Sequence, residues 1–134
     1  MLGSLQLDRS GLAAGGALSL ALVGGSDDAR QVGSPYGNHR YGARTSYGWQ
    51  VGARARALID VGAMRSEYSG GGGFFGAERR DSQYSAVALL DVDDAPVAGW
   101  RLQPRLRYMK NDSNVPLYGF DRWEIGLFLH RNFR

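Results

Sequence analysis

Behind the apolar side chains of Trp100, Leu102, Pro104, Leu106 and Tyr108 stand Arg101, Gln103, Arg105 and Arg107. Strict alternation is the period of an extended strand, whose successive side chains point to opposite faces. Three arginines on one side of a strand cannot line a buried soluble core, because unpaired charge is too costly to desolvate. That side must be wet, and the greasy side must face something other than water. The same two-sidedness recurs in Tyr41, Ala43, Thr45, Tyr47, Trp49 and Val51, with Gly42, Arg44, Ser46, Gly48 and Gln50 behind them. It returns at the end of the chain, where Trp123, Ile125, Leu127, Leu129 and Phe133 oppose Arg122, Glu124, Gly126, Phe128, His130 and Asn132, with Arg131 as an exception.

Weaker segments continue the pattern. Tyr84, Ala86, Ala88, Leu90 and Val92 align within Gln83–Val92, although Val87 and Leu89 blur the reverse face. Ala57, Ile59, Val61 and Ala63 align within Arg56–Ser69, with Leu58 and Met64 on the supposedly wet side, and Leu18, Leu20 and Leu22 align within Leu12–Gly24. A one-residue slip or bulge would invert either of the last two. Leu5 and Leu7 suggest a seventh, incomplete strand.

Helix is disfavoured because glycines, 20 in all, interrupt every candidate, and no stretch approaches the roughly 18 apolar residues of a spanning helix. The connections alternate in length. Short turns fit at Asp8–Gly11, near Gly52 and at Asp93–Gly99, and longer polar or Gly-rich loops fit at Ser26–Arg40, Gly70–Asp81 and Asn111–Gly119. Outer-membrane barrels show this asymmetry, with tight periplasmic turns and long external loops. Tyr41, Trp49, Tyr68, Tyr84, Trp100, Tyr108 and Trp123 lie near strand ends, where a membrane interface holds amphipathic rings. The expectation is an all-β fold: an antiparallel up-and-down transmembrane β-barrel segment of about seven strands, spanning residues 1–134 as the C-terminal portion of a barrel domain, with its C-terminus periplasmic. Seven strands leave two unpaired edges, so missing upstream strands of the same barrel are expected as partners, together with outer-membrane lipids. The opening residues lack a secretory signal, as expected of the C-terminal part of a longer exported chain.

The tail carries more specific information. The run from Arg101 to Phe133 contains Tyr108, Asn111, Ser113, Asn114, Val115, Leu117, Tyr118, Phe120, Asp121 and Arg122 before a final strand closing on Phe133. It resembles the C-terminal end of the surface lipoprotein assembly modifier family. Upstream, Phe74 to Ala86 (FFGAERRDSQYSA), with Arg79, Arg80 and Asp81, is similar to that family's strand entry. The resemblance covers about sixty residues and implies a barrel that translocates lipoproteins or helps display them at the surface. The family's periplasmic repeat domain has no counterpart here, and Arg134 follows the usual terminal phenylalanine. Gly126, Leu129 and Phe133 look like the terminal signal read by the barrel-assembly machinery, which physically would be strand addition.

The sharpest set of candidate residues is charged. Arg44, Arg101, Arg105, Arg107 and Arg122 share the wet parity with Asp60, Asp91 and Glu124. They line either an electropositive conduit or a polar interior packed by its own ion pairs, and the second reading is the commoner outcome. His130 faces the same side and His39 falls in a long loop, but no nucleophile motif accompanies them, so no enzyme activity is expected. Asp93-Asp94 and Asn111-Asp112 read as turn residues rather than a metal site, Gly70–Gly73 lacks the residues of a phosphate loop, and no cofactor is implied. The apolar backs of the basic strands argue against nucleic acid. Two rival functions remain: a diffusion channel, and a soluble ligand-binding β-barrel.

Overall fold

The computed structural model describes residues 2–12, 15–27, 37–69 and 78–131. They form seven strands: β1 (Leu2–Leu12), β2 (Gly16–Asp27), β3 (Gly37–Gly52), β4 (Ala55–Ser69), β5 (Arg79–Asp93), β6 (Trp100–Ser113) and β7 (Phe120–Arg131). Each strand pairs antiparallel with its neighbour in chain order, giving one open sheet with β1 and β7 at its edges. No helix among the described residues is long and apolar enough to cross a membrane.

Register assigns the faces. Leu5, Leu22, Ala43 and Ala63 are successive cross-strand partners, and Tyr84, opposite Ala63, extends the row to β5. Leu106 pairs with Ala88 and with Ile125, carrying the same face to the last strand. The apolar residues read from alternation therefore lie together on one side of all seven strands. The registers of β3–β4 and β4–β5 run without a break through Leu58 and Met64, so no slip inverts β4. Leu58, Met64, Val87 and Leu89 simply sit on the polar face. That face is hollowed, with a depression of about 320 Å³ whose lining includes Gly42, Gly62, Met64, Ser85, Met109 and Phe120.

Burial is inverted relative to a soluble domain. Among the described residues Val115 is the one buried hydrophobic side chain, whereas Asn38, Asp60, Ser66, Asp81 and Asn111 are buried. Ile125 is 87% exposed, Leu127 70% and Leu7 61%. Contiguous apolar area on this scale needs a non-aqueous neighbour. Tyr41 to Trp49, Trp100 to Tyr108 and Trp123 to Arg131 each span eight residue steps, about 27 Å along a strand and roughly 20 Å at a 40° tilt. That approaches the roughly 25 Å height of the apolar band of an outer-membrane barrel.

Several expected boundaries move. The turn expected at Asp8–Gly11 is strand: Asp8, Arg9 and Ser10 pair with Ser19, Leu18 and Ala17. Gly11, at φ 75°, makes a bulge where the register shifts between Ser10 and Leu12, so its left-handed backbone serves the strand end. β1 is a full strand of 11 residues. His39 belongs to β3 and Asn111-Asp112 to β6, and neither is loop or turn. Backbone pairing needs no apolar side chain, so the ladder runs past the point where the greasy alternation stops. The loop residues Gly70–Gly73, Phe74 and Phe75 and the terminal Phe133 lie outside the described residues.

Two local devices hold the wall. Pro104 has no N–H to donate, and the β5–β6 pairing, continuous to Leu89–Arg105, resumes at Val92–Leu102 in the same register. Gly42 faces Met64 so closely that a Cβ at position 42 would stand 2.9 Å from the Met64 Cα. Gly42→Ala is therefore expected to destabilise the sheet by about 1–3 kcal/mol through forced strand separation. A urea titration in lipid vesicles would show this as a lowered midpoint, and an unchanged midpoint would contradict the close approach.

Candidate functional site: the polar face and its outer clamp

At the long-loop end the polar face carries a compact cluster. Asp81 is fully buried, and Arg79 donates to both carboxylate oxygens, at 3.0 and 2.9 Å from Nε with a further short contact from Nη2. The Arg79 guanidinium packs against two rings, 4.4 Å from the centroid of Tyr68 and 3.4 Å from that of Tyr118. Planar, weakly hydrated guanidinium suits this combination of bidentate ion pair and stacked rings, and lysine does not. Tyr68 was expected in the interfacial girdle. The β4–β5 register instead sets it opposite Arg79 on the polar face, because it follows the even parity of Asp60, Met64 and Ser66.

Tyr118 arrives from the β6–β7 connection, where a 3-10 turn covers Pro116–Tyr118. The Asn111 side chain donates to the Tyr118 carbonyl at 2.6 Å, and Val115 N–H donates to Ser113 Oγ at 3.2 Å. Asn114 extends the ladder with its side chain: its Oδ1 accepts from Arg80 N–H at 2.7 Å and its Nδ2 donates to the Glu78 carbonyl at 2.7 Å. The connection is thus a strap tied down onto β5. Of the motif residues, Arg79, Asp81, Asn111, Ser113 and Tyr118 meet in this clamp, and Asn114 with the Arg80 backbone closes it. Tyr108 and Asp121 belong elsewhere, on the apolar face, where the Tyr108 hydroxyl donates to Asp121 at 3.3 Å and its ring lies 4.7 Å from Trp123. Leu117 is 73% exposed and takes no part.

Asp81 lies three residues beyond Tyr84 and so outside the apolar band. Burial alone would push its carboxyl up; hydrogen bonds from Arg79, Ser113 and Asn111, with the Arg79 charge, outweigh that and hold it below the ordinary carboxylate range. A depressed folded value means the clamp's stabilisation is present above the unfolded value of about 3.9 and is lost as pH falls through the folded one. Proteolysis of the long-loop end should therefore accelerate only on acidification below about pH 4, and Asp81→Asn should remove that acid dependence. An unchanged acid profile in the variant would place the titrating group elsewhere.

Within the band the polar face is a ladder of charge pairs. Arg44 Nε lies 2.9 and 2.7 Å from the two oxygens of buried Asp60. Arg101 meets Asp93 at 2.7 Å, a residue the alternation had assigned to a turn. Asp91 was expected to pair with an arginine, yet it accepts from Gln103 at 2.8 Å. Glu124 is shared, 3.7 Å from Arg107 and in close contact with Arg122. Arg105 instead lies 5.1 Å from the ring centroid of Phe128. Gly126 makes that ring position possible, since a Cβ there would come within 2.8 Å of the Phe128 ring. Leu129 faces the apolar side, half exposed, opposite Leu102. Arg131 shares that side and packs over Trp100 at 5.6 Å.

Sequence reasoning missed Tyr68, Gln103, Asp93 and Phe128 as partners in this face, and Val115 as the strap's buried apolar anchor. A single signal was available for the last: Val115 is the apolar residue immediately before Pro116, the first residue of the turn. The partners were hidden because register, not spacing along one strand, selects them.

Comparison with known proteins agrees with the architecture. A model of the surface lipoprotein assembly modifier family matches residues 27–133, from the end of β2 through β7. No curated protein and no solved structure is significantly similar to the chain.

Proposed function

Because this chain belongs to the surface lipoprotein assembly modifier family, we propose that its sheet is one wall of an outer-membrane β-barrel through which lipoproteins are translocated or displayed at the cell surface. The observation that carries the reading is the inverted burial: exposed leucine, isoleucine and aromatic side chains on one face, paired arginine and carboxylate on the other. Lipid takes the first face and a water-filled lumen the second. The strap and clamp then lie at the outer mouth, and the short turns at Ala53-Arg54 and Asp94–Gly99 face the periplasm.

The sheet does not close by itself. With seven antiparallel strands, β1 and β7 run in the same direction, so joining them, or joining β7 to β1 of a second copy in the same orientation, would demand a parallel pair. Antiparallel closure needs an odd number of further strands, which upstream sequence of the same barrel supplies in this reading. The assembly machinery engages the free edge of β7 by strand addition. The wall is not an enzyme; it positions and passes cargo.

Surface display is the deciding measurement. Cells making the intact protein and a lipoprotein should expose the lipoprotein to antibody and to added protease, and cells lacking β3–β7 should retain it inside. Unchanged display together with reduced uptake of small solutes would favour the diffusion channel and overturn the translocation reading.

A further inference from the structure

The polar face is not uniformly compensated. On β6 and β7 it carries Arg101, Arg105, Arg107 and Arg122 against Glu124 alone. Asp93 answers Arg101 and Arg44 answers Asp60, while Asp91 accepts from the neutral Gln103 amide and keeps its charge. Arg107 and Arg122 therefore divide one carboxylate, and Arg105 has no acidic partner among the described residues. Arg105, Arg107 and Arg122 thus face Glu124 alone, and Asp91, one rung away and held only by a neutral amide, reduces the local excess to one positive charge.

Arg105 is nevertheless held. Its guanidinium packs on Phe128, and the Phe128 ring occupies the space that Gly126 leaves by lacking a Cβ. Gly126 and Arg105 are direct cross-strand partners, so glycine, ring and guanidinium form one stacked unit. An aromatic platform fixes the position of a charge without neutralising it. An arginine needed only for solubility in the lumen would require no such support.

We propose that Arg105, Arg107 and Arg122 form a docking ladder for an acidic, extended segment of polypeptide lying along β6. The proposal rests on the translocation reading and names the chemistry of the cargo that this wall contacts. The spacing favours a polypeptide over a free anion. Arg105 and Arg107 sit two residues apart on one strand, about 6.8 Å, which is also the repeat of same-side residues in an extended chain. Carboxylates at alternate positions of such a chain meet successive guanidiniums. The low-dielectric wall and the local charge excess strengthen the attraction, and guanidinium matches carboxylate bidentately.

The test uses the intact outer-membrane protein carrying this wall, folded in detergent micelles, and fluorescence anisotropy of two labelled peptides: alternating Asp-Thr, and its uncharged counterpart, alternating Asn-Thr. The acidic peptide is expected to bind and the amide peptide not to. The double variant Arg105→Gln, Arg107→Gln should weaken binding by about tenfold or more, and raising salt should weaken it steeply. Phe128→Leu keeps all charges while removing the platform and is expected to lower affinity about threefold. Arg40→Gln, on the same face of β3 and three strands from the ladder, should leave binding unchanged. Heat-modifiable migration on gels checks that each variant is folded. Equal binding of both peptides, or full affinity in the folded double variant, would overturn the ladder. Displacement of the acidic peptide by inorganic phosphate at equal concentration would overturn the polypeptide assignment in favour of a simple anion site. Since binding is read without transport, failure here leaves the display experiment standing, and unchanged display in cells lacking β3–β7, with intact peptide binding, would sink only the translocation reading.

Discussion

Asp81→Ala is expected to be the most damaging substitution on the polar face, costing about 2–4 kcal/mol. Removal of the carboxylate leaves Arg79 as a half-buried cation without its counter-charge and deprives Ser113 and Asn111 of a common acceptor. The stacking on Tyr68 and Tyr118 persists but cannot replace the charge-assisted hydrogen bonds to Asp81. Loss should spread into the strap, because Asn111 also holds the Tyr118 carbonyl. Equilibrium unfolding in micelles would give the magnitude, and hydrogen exchange at the Tyr118 and Gly119 amides, which bond back to Val115 and Pro116, would report the local opening. Arg79→Lys should fall between wild type and Asp81→Ala, since lysine keeps charge but loses the fork and the stack. Stability within about 0.5 kcal/mol of wild type for Asp81→Ala would mean the cluster is incidental.

A comparable loss is expected from Leu127→Arg, for a different reason. Leu127 lies four residues from Trp123 and four from Arg131, midway across the apolar band, and is 70% exposed to whatever covers that face. If hydrocarbon covers it, an arginine there costs about 2–4 kcal/mol. The matched control is Gln103→Arg. Gln103 precedes Pro104, the cross-strand partner of Leu127, so it sits at nearly the same depth on the opposite face, beside Asp91. The same side chain should be tolerated at 103 and rejected at 127. Folding yield into lipid vesicles, with and without urea, separates the two. Equal tolerance at both positions would remove the membrane as the solvent of the apolar face and would favour a soluble sheet.

These two substitutions probe the two parts of the molecule that differ most in how far the sequence revealed them. The apolar band was readable because alternation is a local property: Leu102, Leu106, Ile125 and Leu127 announce their face by parity alone, and register confirmed it on every strand. The clamp was readable only as a string of residues resembling a family, without any geometry. Tyr68 shows why. Its position near a strand end suggests a girdle residue, and only its pairing with Arg79 places it on the polar side. The turn misplaced at Asp8–Gly11 has a similar origin, since glycine with a left-handed backbone serves a bulge as readily as a turn.

Sequence by itself determined which side chains share the apolar face and which the polar face, because a two-residue period leaves each side chain no other choice once the strand exists. The tertiary structure decided who answers whom: Asp93 for Arg101, Gln103 for Asp91, Phe128 for Arg105, and two tyrosines for Arg79. Such partners lie on neighbouring strands or on a folded-back strap, far apart along the chain. Only hydrogen-bonded register brings them within reach.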